Sequence, residues 1–130
     1  MFKKKRQAKK ILVVDDDRST VMFISSILKR NGYDVITGSD GLECVEKAQN
    51  ELPDLVLLDY MMPNMNGPTA LAKIRASKKT ADIPVIMVTA STDDENIANA
   101  QKHGATNYIA KPIDYAVLLE RIQRALDETK

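Results

Sequence analysis

Five short apolar runs punctuate this chain, and amphipathic segments fill the gaps between them. The runs are Ile11 to Val14, Tyr33 to Thr37, Leu55 to Leu58, Ile83 to Thr89 and Asn107 to Ala110. A strand with one wet face alternates polar and apolar residues. A run without alternation, such as Leu55-Val56-Leu57-Leu58, predicts a strand covered on both faces, as in a parallel sheet. The intervening segments have helical spacing. Val21, Ile24, Ile27 and Leu28 recur on one face, with Asn31-Gly32 as the stop. Ser39 or Asp40 caps a second helix running to about Asn50. Pro68 sits in the first turn of a third, with Leu71 and Ile74 on its inner face. Thr92 and Glu95 have the form of a capping box for a fourth, which Gly104 ends. Pro112 opens a fifth, with Val117, Leu118, Ile122 and Leu126 as its apolar face. Strand and helix alternating five times predict an α/β fold of three layers, a parallel sheet with right-handed crossovers and helices on both faces. At 130 residues the chain suits one domain, and it contains no internal repeat, low-complexity stretch or linker.

The charge is unevenly placed. Lys3, Lys4, Lys5, Arg6, Lys9 and Lys10 fall within the first ten residues, leaving 13 bases against 18 acids in the remainder. The expected division is a basic tail over residues 1–10 and a folded domain over 11–127. A nucleic-acid-binding domain concentrates positive charge on its folded body; here the body is acidic, so no direct nucleic-acid binding is expected. The tail reads as a solvated arm, with contact to an acidic partner surface as the alternative. No run approaches the ~20 apolar residues of a membrane span, and the basic start lacks the apolar core of a secretory signal. Cys44 is the single cysteine, which removes any disulfide framework and points to a reducing, cytoplasmic setting. It reads as a small buried residue, and His103, the one histidine, as a helix-end surface residue without partners for a metal site or dyad.

Ligands of open α/β sheets bind beyond the carboxyl ends of the strands. The first run ends in Asp15-Asp16-Asp17, the third in Asp59, the fourth in Thr89-Ala90 and the fifth in Lys111-Pro112. Parallel strands would bring these residues to one edge. Crowded carboxylates repel unless a cation intervenes. A hard divalent ion such as Mg²⁺ takes oxygen ligands and lets a phosphate approach an acidic cleft. Lys111 adds an ammonium and Thr89 a hydroxyl. No glycine-rich phosphate loop is present. The set suits phosphoryl transfer to a carboxylate nucleophile. Each residue alone has an ordinary structural role, as a helix cap, a strand β-branch or a turn; together they are harder to explain in that way.

In this order, the motifs Val13-Val14-Asp15-Asp16, Leu57-Leu58-Asp59-Tyr60-Met61-Met62-Pro63-Asn64-Met65-Asn66-Gly67, Val88-Thr89-Ala90 and Tyr108-Ile109-Ala110-Lys111-Pro112 resemble the receiver domain of two-component response regulators, including the chemotaxis receiver. The likeness covers about Ile11 to Leu126. It implies a flavodoxin-like (βα)5 sandwich with strand order 2-1-3-4-5. It implies Asp59 as phosphoacceptor, with Mg²⁺ (Mn²⁺ as a substitute) held by the Asp16 and Asp59 side chains and the Met61 carbonyl, and by Asp15 through water. Thr89, Lys111 and the Ala90 N–H would contact the phosphoryl oxygens. Thr89 and Tyr108 would form the switch, Tyr108 swinging inward as Thr89 moves toward the phosphoryl group and reshaping the face around the fourth and fifth helices and the fifth strand. The Lys111–Pro112 bond is expected to be cis. The implied partners are a sensor histidine kinase or histidine phosphotransfer protein upstream and an effector protein or output domain downstream. Receivers commonly dimerise through the same face, so a phosphorylation-linked homodimer is an assembly the likeness admits. The chain would be a regulatory phosphoacceptor, not a turnover enzyme.

Two departures stand out. Asn66 replaces the family's usual Asp before Gly67, a change a turn tolerates. Met61 and Ser91 occupy positions flanking the phosphoryl group where the chemotaxis receiver has polar or acidic residues, and Met61 cannot orient a water by strong hydrogen bonds, so slow autodephosphorylation is expected. The chief rival is a small haloacid-dehalogenase-like phosphatase, with Asp15 as nucleophile and Asp17 as acid/base; it lacks a late acidic metal pair and room for a cap. A phosphorylation-silent interaction module would not need the intact acidic set, and a flavodoxin would need a phosphate loop.

Overall fold

The structure, a computed structural model, describes residues 8–62, 64–90, 98 and 101–128. Its strands are β1 (Lys10–Val14), β2 (Asp34–Gly38), β3 (Leu55–Asp59), β4 (Val85–Thr89) and β5 (Asn107–Ala110). All neighbouring pairs run parallel, in the order β2-β1-β3-β4-β5. The described helices are α1 (Arg18–Arg30), α2 (Gly41–Glu51), α3 (Gly67–Ala76) and α4 (Tyr115–Glu128), the last corresponding to the fifth helical pattern of the sequence. Most of the basic tail, the capping pair Thr92 and Glu95, and Ser91 lie outside the described residues.

The absence of alternation in the central runs has its expected cause. β3 and β4 are buried at every position, because each contributes side chains to two cores. On one face Ile11, Val13, Leu55, Leu57, Ile86 and Val88 meet Ile24, Ile27 and Leu28 of α1 and Leu118 and Ile122 of α4. On the other, Leu12, Val14, Val56, Leu58, Val85 and Met87 meet Cys44 and Ala48 of α2 and Ala70, Leu71 and Ile74 of α3. Each Leu, Ile, Val or Met among them contributes ~1.5–3 kcal/mol on burial, so the two cores fix the three layers. β2 is an edge strand and is only partly covered, which is why its run is the least apolar.

Helix starts follow local chemistry. Asp17 caps α1, accepting from the Ser19 N–H at 3.1 Å and the Thr20 hydroxyl at 2.9 Å. Asp40, rather than Ser39, caps α2, accepting from the Glu43 N–H. Asn66 caps α3 through the Thr69 N–H, with Pro68 in the first turn. Two expectations need correction. The last helix opens three residues after Pro112, where Asp114 takes the Val117 N–H at 3.1 Å; a capping carboxylate overrides a proline placed too early. Val117 is exposed, not part of the inner face; one residue before Leu118, it lies about 100° round the helix from the stripe that Leu118, Ile122 and Ala125 bury. Gly104 has positive φ and its N–H bonds the Gln101 carbonyl, as a helix stop should. Cys44 is fully buried and its thiol is pushed up to about 12 by desolvation; His103 is exposed. Among the described residues no helix is long and apolar enough to cross a membrane.

Candidate functional site

The carboxyl ends of β1, β3, β4 and β5 meet in one cleft lined by Asp15, Asp16, Asp17, Asp59, Tyr60, Met61, Thr89, Ala90 and Lys111. Parallel pairing puts them there. The register aligns Val14 with Leu58, Asp59 with Val88 and Thr89 with Ala110, so the residues closing each strand arrive at a common level.

Carboxylate oxygens of Asp15, Asp16 and Asp59 lie within 4.8 Å of one another. Asp15 and Asp59 are buried, whereas Asp16 faces solvent. The Lys111 ammonium stands between the buried pair, 2.9 Å from Asp15 Oδ2 and 3.4 Å from Asp59 Oδ1. The Asp17 N–H donates to Asp15 Oδ1 at 2.8 Å. Among the described residues Asp15 thus has two donors, while Asp59 has one long side-chain contact. Burial, and then the Asp15 charge, push the Asp59 carboxyl up to about 6, with Lys111 opposing. Burial alone would lower the Lys111 ammonium, but its hydrogen bonds to and the charges of Asp15 and Asp59 raise it overall. The site is therefore over-supplied with negative charge even with Lys111 in place.

Three converging carboxylates, all hard oxygen donors, form a set fitted to a divalent cation such as Mg²⁺ and ill-suited to a soft metal. Met61 projects its side chain into water, 73% exposed, so only its backbone is suited to the ion.

The backbone around Asp59 leaves no slack. A Cβ on Gly67 would stand 2.4 Å from the Asp59 carbonyl oxygen and 2.7 Å from Met87 Cε, and the Gly67 N–H bonds the Tyr60 carbonyl at 2.9 Å. The Asn64 side chain ties the same loop to Asp40 at 3.0 Å, and a Cβ on Gly41 would strike the Met65 carbonyl. The sequence signalled Gly67 only as a turn residue; its close approach to Asp59 emerges from the packing.

Thr89 is buried and Tyr108 half-buried. Thr89 is paired with Ala110 and Tyr108 with Met87, so the two are diagonal neighbours on the sheet face that carries α2 and α3, with the small Ala110 beside them. The Lys111–Pro112 bond is cis, as expected. No motif or spacing pointed to Arg121: from α4 it donates to the Tyr108 carbonyl at 2.6 Å and lies 5.8 Å from the centre of the Tyr108 ring. Asp17, the acid/base of the phosphatase alternative, is engaged in capping α1.

A family model described as the response regulator receiver domain matches residues 11–123. The chain is 39% identical over 118 residues to the alkaline phosphatase synthesis transcriptional regulatory protein PhoP of Bacillus subtilis, covering 91% of this chain and 48% of that protein. It thus spans about half the length of that regulator. A CheY-like response regulator receiver domain protein from Methanospirillum hungatei superposes with a TM-score of 0.88 at 35% identity, covering 94% of this chain and 96% of the other. The receiver domain of a sensor histidine kinase from Pseudomonas aeruginosa, described with a magnesium ion coordinated in the active site cleft, superposes with a TM-score of 0.87 at 30% identity, covering 92% and 98%.

Proposed function

This chain belongs to the response regulator receiver domain family, and on that premise we propose that Asp59 is its phosphoacceptor, loaded in a Mg²⁺-dependent step from a histidine kinase or histidine phosphotransfer protein. The observation that carries the assignment is the asymmetry of the two buried carboxylates. Asp15 is held by Lys111 and the Asp17 N–H, whereas Asp59 ends its strand with its pKa raised and one long contact. A less stabilised carboxylate is the better nucleophile.

Asp15, Asp16, Asp59 and the Met61 carbonyl are the groups that would hold the cation, and the magnesium in the related Pseudomonas receiver supports this. When bound, the cation supplies positive charge for the phosphoryl oxygens. Asp59 attacks phosphorus with a carboxylate oxygen. The P–N bond of the donor phosphohistidine breaks, its electron pair stays on the imidazole nitrogen, and that nitrogen then binds a proton. Lys111, already within reach of Asp59, neutralises the oxygens of the arriving group; Thr89 offers its hydroxyl and Ala90 its N–H. The chain would then act as a regulatory phosphoacceptor, limited to taking and losing its own phosphoryl group.

The acyl phosphate becomes a signal through Thr89 and Tyr108. A hydroxyl drawn toward the phosphoryl group vacates room on the face that Tyr108 shares, and the ring fills it. An effector or output domain would read the altered surface around β5 and α4. The test is intact mass after incubation with acetyl phosphate and Mg²⁺. One phosphoryl group should appear on the wild type, none on Asp59→Asn, and none after chelation. An adduct undiminished in Asp59→Asn would overturn the assignment.

A further inference from the structure

Two contacts from one guanidinium converge on Tyr108. The Arg121 Nη1 donates to the Tyr108 carbonyl at 2.6 Å, and its Cζ stands 5.8 Å from the centre of the Tyr108 ring. The two respond differently to motion of the ring. The carbonyl belongs to β5, whose neighbouring N–H of Tyr108 is itself held by Asn107 Oδ1 at 2.8 Å; it stays put whichever rotamer the ring adopts. The cation–π contact exists only while the ring remains where it is. The carbonyl bond therefore anchors the cation, and the anchored cation favours one ring position. The reach is across the sheet edge. α4 packs on the face of Ile11 and Val13, whereas the Tyr108 ring packs on the face of Leu12 and Met87.

We propose that Arg121 is a positioning residue that holds Tyr108 in its resting, half-exposed rotamer and so sets the threshold of the phosphorylation switch. This rests on Tyr108 being the switch aromatic. A ring leaving the guanidinium to move toward Thr89 forfeits the cation–π attraction, which at a partly exposed site biases the two positions by about two- to five-fold. The acyl phosphate must overcome that bias, so α4, through Arg121, tunes how much phosphorylation turns the ring.

The experiment is ¹⁹F NMR of protein carrying 3-fluorotyrosine, with the Tyr108 signal identified by its loss in Tyr108→Phe. Spectra are recorded across an acetyl phosphate titration with Mg²⁺, alongside intact mass. Arg121→Gln keeps an N–H for the carbonyl but removes the charge over the ring; Arg121→Lys keeps a cation. We expect the Gln variant to raise the inward population two- to five-fold and to turn the ring at correspondingly lower acetyl phosphate, with Lys falling between Gln and wild type. A Gln variant that turns at the wild-type concentration, whatever its melting temperature, would overturn the proposal and leave Arg121 as a brace for the edge strand. A wild-type Tyr108 signal that stays unchanged while mass shows the phosphoryl group would overturn the switch role of Tyr108 and the coupling with it.

Discussion

Lys111 stands closer to Asp15 than to Asp59, 2.9 Å against 3.4 Å. The ammonium is a counter-charge of the acidic cleft. A divalent ion held by the same carboxylates, as proposed above, would compete with it. Lys111→Met should destabilise the metal-free protein by about 1–2 kcal/mol, a partly exposed cation being worth less than a fully buried one. Saturating Mg²⁺ should shrink that loss, and Mg²⁺ should bind the variant more tightly. Urea unfolding with and without Mg²⁺ checks this; a loss equal in both conditions contradicts it.

Asp59 carries a pH signature. Its carboxyl is raised to about 6 in the fold, against about 3.9 unfolded. Between those values the folded state binds more protons than the unfolded one, so this group lowers stability as pH rises from about 4 to 6 and imposes a constant penalty above. In chelator, Asp59→Asn should therefore be more stable than wild type at pH 7.5, by on the order of 1–2 kcal/mol, and the gap should close near pH 4. Melting curves at the two pH values decide it; a gap of the opposite sign rejects it.

Gly67 is where the backbone of α3 approaches the strand carrying Asp59. With a Cβ 2.4 Å from the Asp59 carbonyl, Gly67→Ala forces a shift that should cost about 1–3 kcal/mol and slow phosphorylation by acetyl phosphate. Denaturation and mass-shift kinetics on the same preparation test both halves.

Leu52 tests a different kind of strain. It ends α2 in the left-handed region with φ 46° and is 51% exposed. Leu52→Gly relieves the Cβ conflict while losing little packing, and should stabilise by ~0.5–1 kcal/mol. A lowered melting temperature would show that its remaining contacts outweigh the strain.

Met61 flanks the cleft with an exposed thioether that cannot position water. Met61→Asn should shorten the lifetime of the phosphorylated protein, read as the decay of the mass adduct after the donor is removed. An unchanged lifetime would place control of the decay elsewhere.

Much of this molecule was legible in the chain itself. The central runs reported two-sided burial because β3 and β4 really do feed two cores, and the acids, Thr89 and Lys111 reach one cleft because parallel register leaves little choice once the strand ends are known. What escaped was set by three-dimensional proximity. Asp114, not Pro112, begins the last helix, since capping competes with proline over three residues that periodicity cannot separate. Gly67 looked like a turn residue, yet its need for no side chain comes from Asp59, eight positions earlier. Arg121 sits in an ordinary amphipathic helix, and nothing in its spacing points to a carbonyl on the edge strand.

The central claim concerns one atom, a carboxylate oxygen of Asp59. The protein should be phosphorylated with acetyl phosphate and Mg²⁺, then reduced with borohydride, which converts an acyl phosphate at an aspartate to homoserine. Peptide sequencing by tandem mass spectrometry should find homoserine at position 59 and aspartate retained at 15 and 16. Homoserine at position 15 or 16, with Asp59 intact, would contradict the account.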